Sequence, residues 1–299
     1  MIGLARNRSF ALACCAALSL VVMTGCQRSQ TFNTRPAFIS PITPADIAYP
    51  ELAERYNAAI APIDTLWART DVDIDWVEID EQGERNVRSQ SGDGKLIFRR
   101  PGDVAMTVEK LGKTYLWAGA DERRYWLFDQ IDSDNKTAYV GDFDKLGGPA
   151  RLAFPLPVRP DMVPELLGLV PLTIAPEAEQ PPVELYNGQY LVELPGKRLL
   201  IDPETFRPSR IDLTDRAGFS LLTAKLVGRF PVEVDGFRAV DRPRICESAA
   251  VFVAGYESRL TLSIDFATTS KRKIRDLMFD FDRLTAALKP DRVEPLDLE

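Results

Sequence analysis

The sequence predicts an α+β fold: a strongly curved antiparallel sheet of about 11 strands, with a helix at its start and a short helix over its inner face. Three observations lead there. Residues 50 to 69 carry apolar side chains at helical spacing. From residue 71 to about 140, and again after 183, apolar and polar residues alternate between closely spaced turn signals, so successive strands run antiparallel. The stretch between, 141 to 182, has little strand character and is long enough to be a functional excursion.

The chain opens with Arg6 and Arg8, followed by an apolar run from Phe10 to Met23. That run, about 14 residues, is shorter than the roughly 20 that cross a bilayer, so residues 1 to 25 read as a signal peptide. Thr24 and Gly25 then precede Cys26, an arrangement that resembles the lipobox of bacterial lipoproteins with Met23 in place of the usual Leu. The resemblance implies that Cys26 carries diacylglycerol and becomes the mature N-terminus. Each buried CH₂ contributes about 0.8 kcal/mol, so two or three acyl chains hold a protein on a membrane durably. Gln27 follows, not Asp, which in enteric bacteria favours export to the outer membrane. The expected location is therefore the cell envelope, on the outer membrane facing the periplasm. Residues 26 to 49, polar with three prolines before Pro50, read as a flexible tether, and residues 50 to 299 as one domain.

In "PELAERYNAAIAPIDTLWAR", Pro50 suits a first helical turn, and Leu52, Tyr56, Ile60, Ile63 and Trp67 fall on one face, with a kink expected at Pro62. "DVDIDWVEIDEQ" places Asp71, Asp73 and Asp75 opposite Val72, Ile74 and Trp76, the period of a strand. It is no EF-hand, because Trp76 takes the place of the turn Gly and Gln82 that of the bidentate Glu. "DSDNK" has Lys136 at a ligand position and reads as a turn. Later strands include "RLTLSIDF", with Leu260, Leu262, Ile264 and Phe266 expected on one face. In the excursion, "PLPVRPDMVPELLGLVPL" gives a helix over 161–170, capped by Asp161, with Met162, Val163, Leu166, Leu167 and Val170 on one side.

Composition excludes much chemistry. The chain has no His, so Ser-His-Asp triads, Cys-His pairs and H-E-x-x-H zinc sites are ruled out. Removing the first 25 residues takes Arg6 and Arg8 away and moves the net charge from −7 to −9, so there is no electrostatic case for binding nucleic acid. Cys14 and Cys15 leave with the signal peptide, and Cys246 reads as a small buried hydrophobe. No catalytic residue, metal site or cofactor is expected, and the protein is read as a non-enzyme.

"GKLIFRRPGDVAMTVEKLGKTYLWAGADERRYWLFD" resembles the outer-membrane lipoprotein carriers LolA and LolB through Gly94, Leu96, Arg99, Arg100, Pro101, Gly112, Lys113, Thr114 and Trp117. "LLIDPETFRPSRIDLTD" is similar to a later hairpin of that family. The resemblance implies a half-open β-barrel around a hydrophobic cavity for acyl chains, with Arg100 and Pro101 at the mouth and Arg100 hydrogen-bonded to the lid. The chain departs from those carriers in its length and in the excursion at 141–182.

Alternation puts Leu96 and Phe98, then Val104, Met106 and Val108, then Tyr115 and Trp117, each on one face of a strand. With Leu262 and Ile264 they are the candidate cavity wall, and Leu166 and Leu167 its lid. Two functions remain open. In one, a membrane-anchored protein binds a lipid or the acyl chains of a lipoprotein; in the other, a structural or partner-binding envelope lipoprotein has its sheet filled by its own helices.

Overall fold

The computed structural model describes residues 41–79, 83–145, 155–174, 176, 179–255 and 258–296. Cys26, the signal peptide and most of the tether lie outside the described residues, as does part of the 141–182 excursion.

The body begins before the predicted end of the tether. Strand β1 (Thr43–Pro44) pairs with a later strand at Leu185 and Glu184, and helix α1 spans Tyr49–Ile60. Pro50 sits in its first turn, Glu51 pairs with Arg55 one turn on at 2.5 Å, and Leu52, Ala53, Tyr56 and Ile60 are buried. The helix was expected to continue to residue 69 with a kink; it stops instead. Pro62 has no N–H to donate, Ala61 N–H closes the last turn on the Asn57 carbonyl at 2.8 Å, and Ile63 N–H turns back onto Ile60. Trp67 consequently lies in a strand.

Strands β2 (Thr65–Ile79), β3 (Arg85–Arg99), β4 (Asp103–Lys110), β5 (Lys113–Ala120), β6 (Arg124–Asp129) and β7 (Thr137–Asp142) form a first antiparallel meander. After the excursion, which holds the single-turn helix α2 (Val163–Leu166), come β8 (Val183–Tyr186), β9 (Gln189–Leu194), β10 (Lys197–Ile201), β11 (Pro208–Thr214) and β12 (Ser220–Val227). A two-stranded ribbon, β13 (Phe230–Pro231) with β14 (Arg244–Ile245), precedes β15 (Ser248–Val253) and β16 (Arg259–Thr268). Helix α3 (Phe281–Leu288) and β17 (Arg292–Pro295) end the described chain.

The two meanders join into one sheet of 15 strands, ordered β1-β8-β9-β10-β11-β12-β15-β16-β2-β3-β4-β5-β6-β7-β17, in place of the expected 11 or so. The seam is β16 on β2, and β17 adds in parallel to β7. The sheet is not closed, since β1 and β17 end the order. Glycine lets neighbouring strands approach closely here: a Cβ on Gly94 would run into the Val72 side chain and, at 2.7 Å, the Thr107 carbonyl.

Alternation sets the two faces. Val72 and Ile74 are buried inward while Asp71 and Asp73 are exposed, and Asp75 pairs with Arg259 at 2.8 Å. On β16, Leu260, Leu262 and Ile264 point inward. A bulge after Ile264 then turns Phe266 to the other face, where it meets Trp67 edge-on, and returns Ala267 to the core. Phe266 is therefore not part of the inner wall. On the outer face, α3 packs Phe281 and Leu284 against Trp126, Phe128 and Ala138, with Trp117 and Val140 beside them.

Candidate functional site

The inner face of the sheet, α1 and residues 156–172 share one buried apolar cluster. Of the predicted wall, Leu96, Phe98, Val104, Met106, Val108, Leu262 and Ile264 belong to it, and Tyr115 packs against it half-buried. Trp117 does not. The register slips between Val108 and Glu109, so that Val108 faces Leu116 and Glu109 faces Thr114, leaving Tyr115 as the extra residue of a bulge. Leu116, Ala118 and Ala120 therefore point inward, and Trp117 points outward toward α3.

Among the described residues, the segment covering this face holds one short stretch of α-helix. Pro160–Met162 forms a 3₁₀ turn that runs into α2, and Gly168, at φ +67°, ends the helix. The expected helix over 161–170 is shorter because a left-handed residue interrupts it. Asp161 does not cap it either; its carboxylate takes a two-pronged bond from Arg159, at 2.9 and 2.7 Å. Val163, Leu166 and Leu167 are buried, and after the Gly168 turn Leu169 takes the inward place expected of Val170.

Polar groups fasten this segment to the helix. Asn57 donates to the Leu172 carbonyl at 2.8 Å and accepts from the Leu172 N–H at 2.7 Å, and Tyr49 Oη donates to Thr173 O at 2.8 Å. Glu165 pairs with Lys197 of β10 at 2.5 Å. At the other end, Arg100 Nη2 donates to Ile60 O at 3.1 Å and to Leu169 O at 3.2 Å, joining the last turn of α1 to this covering segment. Burial pulls the Arg100 guanidinium below its ordinary pKa, with Asp64 and Tyr56 opposing.

Arg100 also lines a cavity of about 370 Å³ with Asp64, Thr65, Arg99, Lys271 and Ile274. Three cationic side chains line this hollow against one carboxylate; of the predicted site residues, Arg100 reaches it. Pro101, joined to Arg100 by a cis peptide, begins the turn into β4.

Sequence reasoning missed Asn57 and Arg207, and it placed Tyr56 on the buried face of the helix without giving its hydroxyl a role. Tyr56, fully buried on α1, has its phenol pushed up to about 12 by burial, with Arg207 and Arg100 lowering it and Glu165 raising it. The Arg207 guanidinium lies 5.8 Å from the centre of the Tyr56 ring. Burial pushes the Cys246 thiol up to about 11, opposed by Arg207 and Arg229. The Phe-Arg-Pro-Ser-Arg run around Arg207 offered no periodicity that would place one Arg inside.

No protein-family model matches the sequence, and no curated protein matches it. Solved structures do. A LolA superfamily protein from Nitrosomonas europaea is similar at 12% identity and a TM-score of 0.42, over 79% of this chain and 99% of that one. A DUF1329 family protein from Desulfovibrio piger is similar at 9% identity and a TM-score of 0.47, over 79% and 99%. A putative outer membrane lipoprotein-sorting protein domain from Vibrio parahaemolyticus is similar at 10% identity and a TM-score of 0.42, over 76% and 94%.

Proposed function

We propose that this protein is a non-enzymatic envelope lipoprotein, anchored through Cys26 in the outer membrane and facing the periplasm. On this reading it takes the acyl chains of a lipid or lipoprotein onto the inner face of its sheet. The observation that carries the reading is Arg100: one guanidinium nitrogen bridges the end of α1 and the Leu169 carbonyl of the apolar cover. A cover of Leu166, Leu167 and Leu169 can be exchanged for hydrocarbon at little net cost. Uncovering a Leu costs about 1.5–3 kcal/mol and each buried CH₂ returns about 0.8, so a few methylenes per Leu offset the loss. Arg100 would then set how often the cover lifts.

A second reading has its own support. The inner-face side chains are almost wholly buried by α1 and the lid segment, as in a structural lipoprotein whose sheet is filled by its own chain. Fluorescent fatty-acid binding to the full chain with Cys26→Ser, which removes the anchor, separates the two. Acyl carriage predicts saturable binding whose rate or affinity changes when Leu166 and Leu167 become Ser; no binding by the parent chain favours the filled core. In cells, Cys26→Ser should release the protein from membranes or leave an uncleaved precursor. Unchanged fractionation with no lipid mass on the N-terminus would refute the anchor.

A further inference from the structure

Among the described residues, the other two almost fully buried charges, Arg198 and Asp212, are each balanced by an opposite one. Arg198 is held by Glu193 at 2.7 Å, and Asp212 by Arg210 at 3.0 Å with Thr223 at 2.6 Å. Arg207 differs. It is 4% exposed, and its Nη1 is buried without a hydrogen-bond partner among the described residues. Its surroundings supply no negative charge: the Tyr56 ring, the Cys246 thiol and Arg229, a second cation whose own Nε is buried without a partner. Arg229 is satisfied in part by the Gly228 carbonyl at 2.9 Å. None of the acids nearby is bonded to Arg207: Glu165 pairs with Lys197 at 2.5 Å, Asp202 takes bonds from the Glu204 and Thr205 backbone at 3.1 and 2.8 Å and acts on Arg229, and Glu247 lies against Gly228. A buried, uncompensated guanidinium is costly, so a site that keeps one is suited to an anion brought from outside.

The lid lies directly over this place. A methyl group at Gly168 would come within 2.5 Å of Pro208, the residue after Arg207, and within 3.3 Å of the Tyr56 hydroxyl. The next residue, Leu169, is the one whose carbonyl Arg100 holds. Lifting the lid therefore uncovers Tyr56 and the neighbourhood of Arg207 and frees Arg100, whose charge also reaches Tyr56. Apolar wall and buried cation are thus uncovered together.

We propose that Arg207, with Tyr56 beside it and Arg100 released from the lid, binds the anionic headgroup of an acyl lipid, a carboxylate or phosphate, while the chains lie on the apolar face. This rests on the acyl-binding reading above and names the ligand class it takes. Tyr56, neutral well above physiological pH, supplies an O–H donor, and the guanidinium a two-pronged one. The chemistry excludes a neutral or cationic headgroup as the preferred ligand.

The test measures binding of oleate and of oleyl alcohol, the same chain without charge, to the full chain with Cys26→Ser. Oleate should bind about 10-fold more tightly or better, the worth of one charge-assisted bond. Arg207→Met should bring that preference close to unity, and Arg207→Lys should keep part of it. The comparison on the parent chain needs no Arg207 variant and stands even if Arg207→Met fails to fold. Inorganic phosphate should compete with oleate and not with the alcohol. Equal affinity for both ligands overturns the headgroup site and leaves acyl binding intact; binding of neither overturns both; phosphate binding without oleate binding overturns the lipid assignment in favour of a free anion.

Discussion

Replacing Arg100 by Met keeps the apolar stem and removes the bonds to Ile60 O and Leu169 O. The bond to Ile60 tethers Arg100 to the helix, so only the one to Leu169 restrains the lid. A hydrogen bond to a charged group is worth about 1.5–3 kcal/mol net, and losing it should make lid opening about 10- to 100-fold more frequent. Native-state hydrogen exchange reads this directly. The N–H groups of Leu167, Gly168 and Leu169, bonded to Val163, Glu165 and Pro164 at 3.0, 2.9 and 2.9 Å, should exchange faster by that factor. Amides paired between β10 and β11, such as those of Leu199 and Ile211, should change little. If all amides speed up equally, Arg100 stabilises the whole fold and is no latch. Lid protection that does not change would equally refute the argument.

Gly168→Ala should destabilise the protein by more than about 1 kcal/mol in urea unfolding, because the position is left-handed and the added methyl meets Pro208 and Tyr56; an unchanged midpoint would mean the lid does not sit on α1. Alkali should also destabilise it. The Cys246 thiol has its pKa raised from 9.0 to about 11 and the Tyr56 phenol from 10.0 to about 12, so on a rising pH scale the unfolded chain loses each proton first. Stability is then complete below about pH 9 and falls as pH climbs toward 12, by an amount of order 2 kcal/mol for each group. Cys246→Ala should flatten the lower part of that decline and Tyr56→Phe the upper part, in denaturant melts across the range.

The legible parts of this molecule were those governed by local periodicity. The alternation of Leu260, Leu262 and Ile264, the inward set Leu96 to Val108, and the helical spacing from Leu52 to Ile60 all act through neighbours in sequence. Bulges defeated the same reasoning, because one inserted residue reverses every later side chain: Tyr115 sent Trp117 outward, and Asp265 did the same to Phe266. Pro62 disturbs the helix as its missing N–H predicts, but the strand that follows it pairs with β3 and β16, and that tertiary demand turns a kink into a stop. The polar fastenings were hidden for a different reason. Asn57 reaches Leu172 and Arg207 reaches Tyr56 across more than a hundred residues, and no local pattern marks such a partner.

The seam between β16 and β2 has a consequence for the order in which the molecule can assemble. Thr65–Ile79 is made well before Arg259–Thr268, with most of both meanders between them, so one long side of β2 must wait through the making of those strands before it finds its neighbour. The first meander can meanwhile close locally, hairpin by hairpin, and α1 and the segment at 156–172 are both synthesised in time to cover its apolar side. Among the described residues no α-helix lies between β8 and β16, so that second meander must condense onto the pre-built half. Folding should therefore be slow in its final step, with a long loop to close, and the waiting strand is where an escorting chaperone or a second nascent chain would attach.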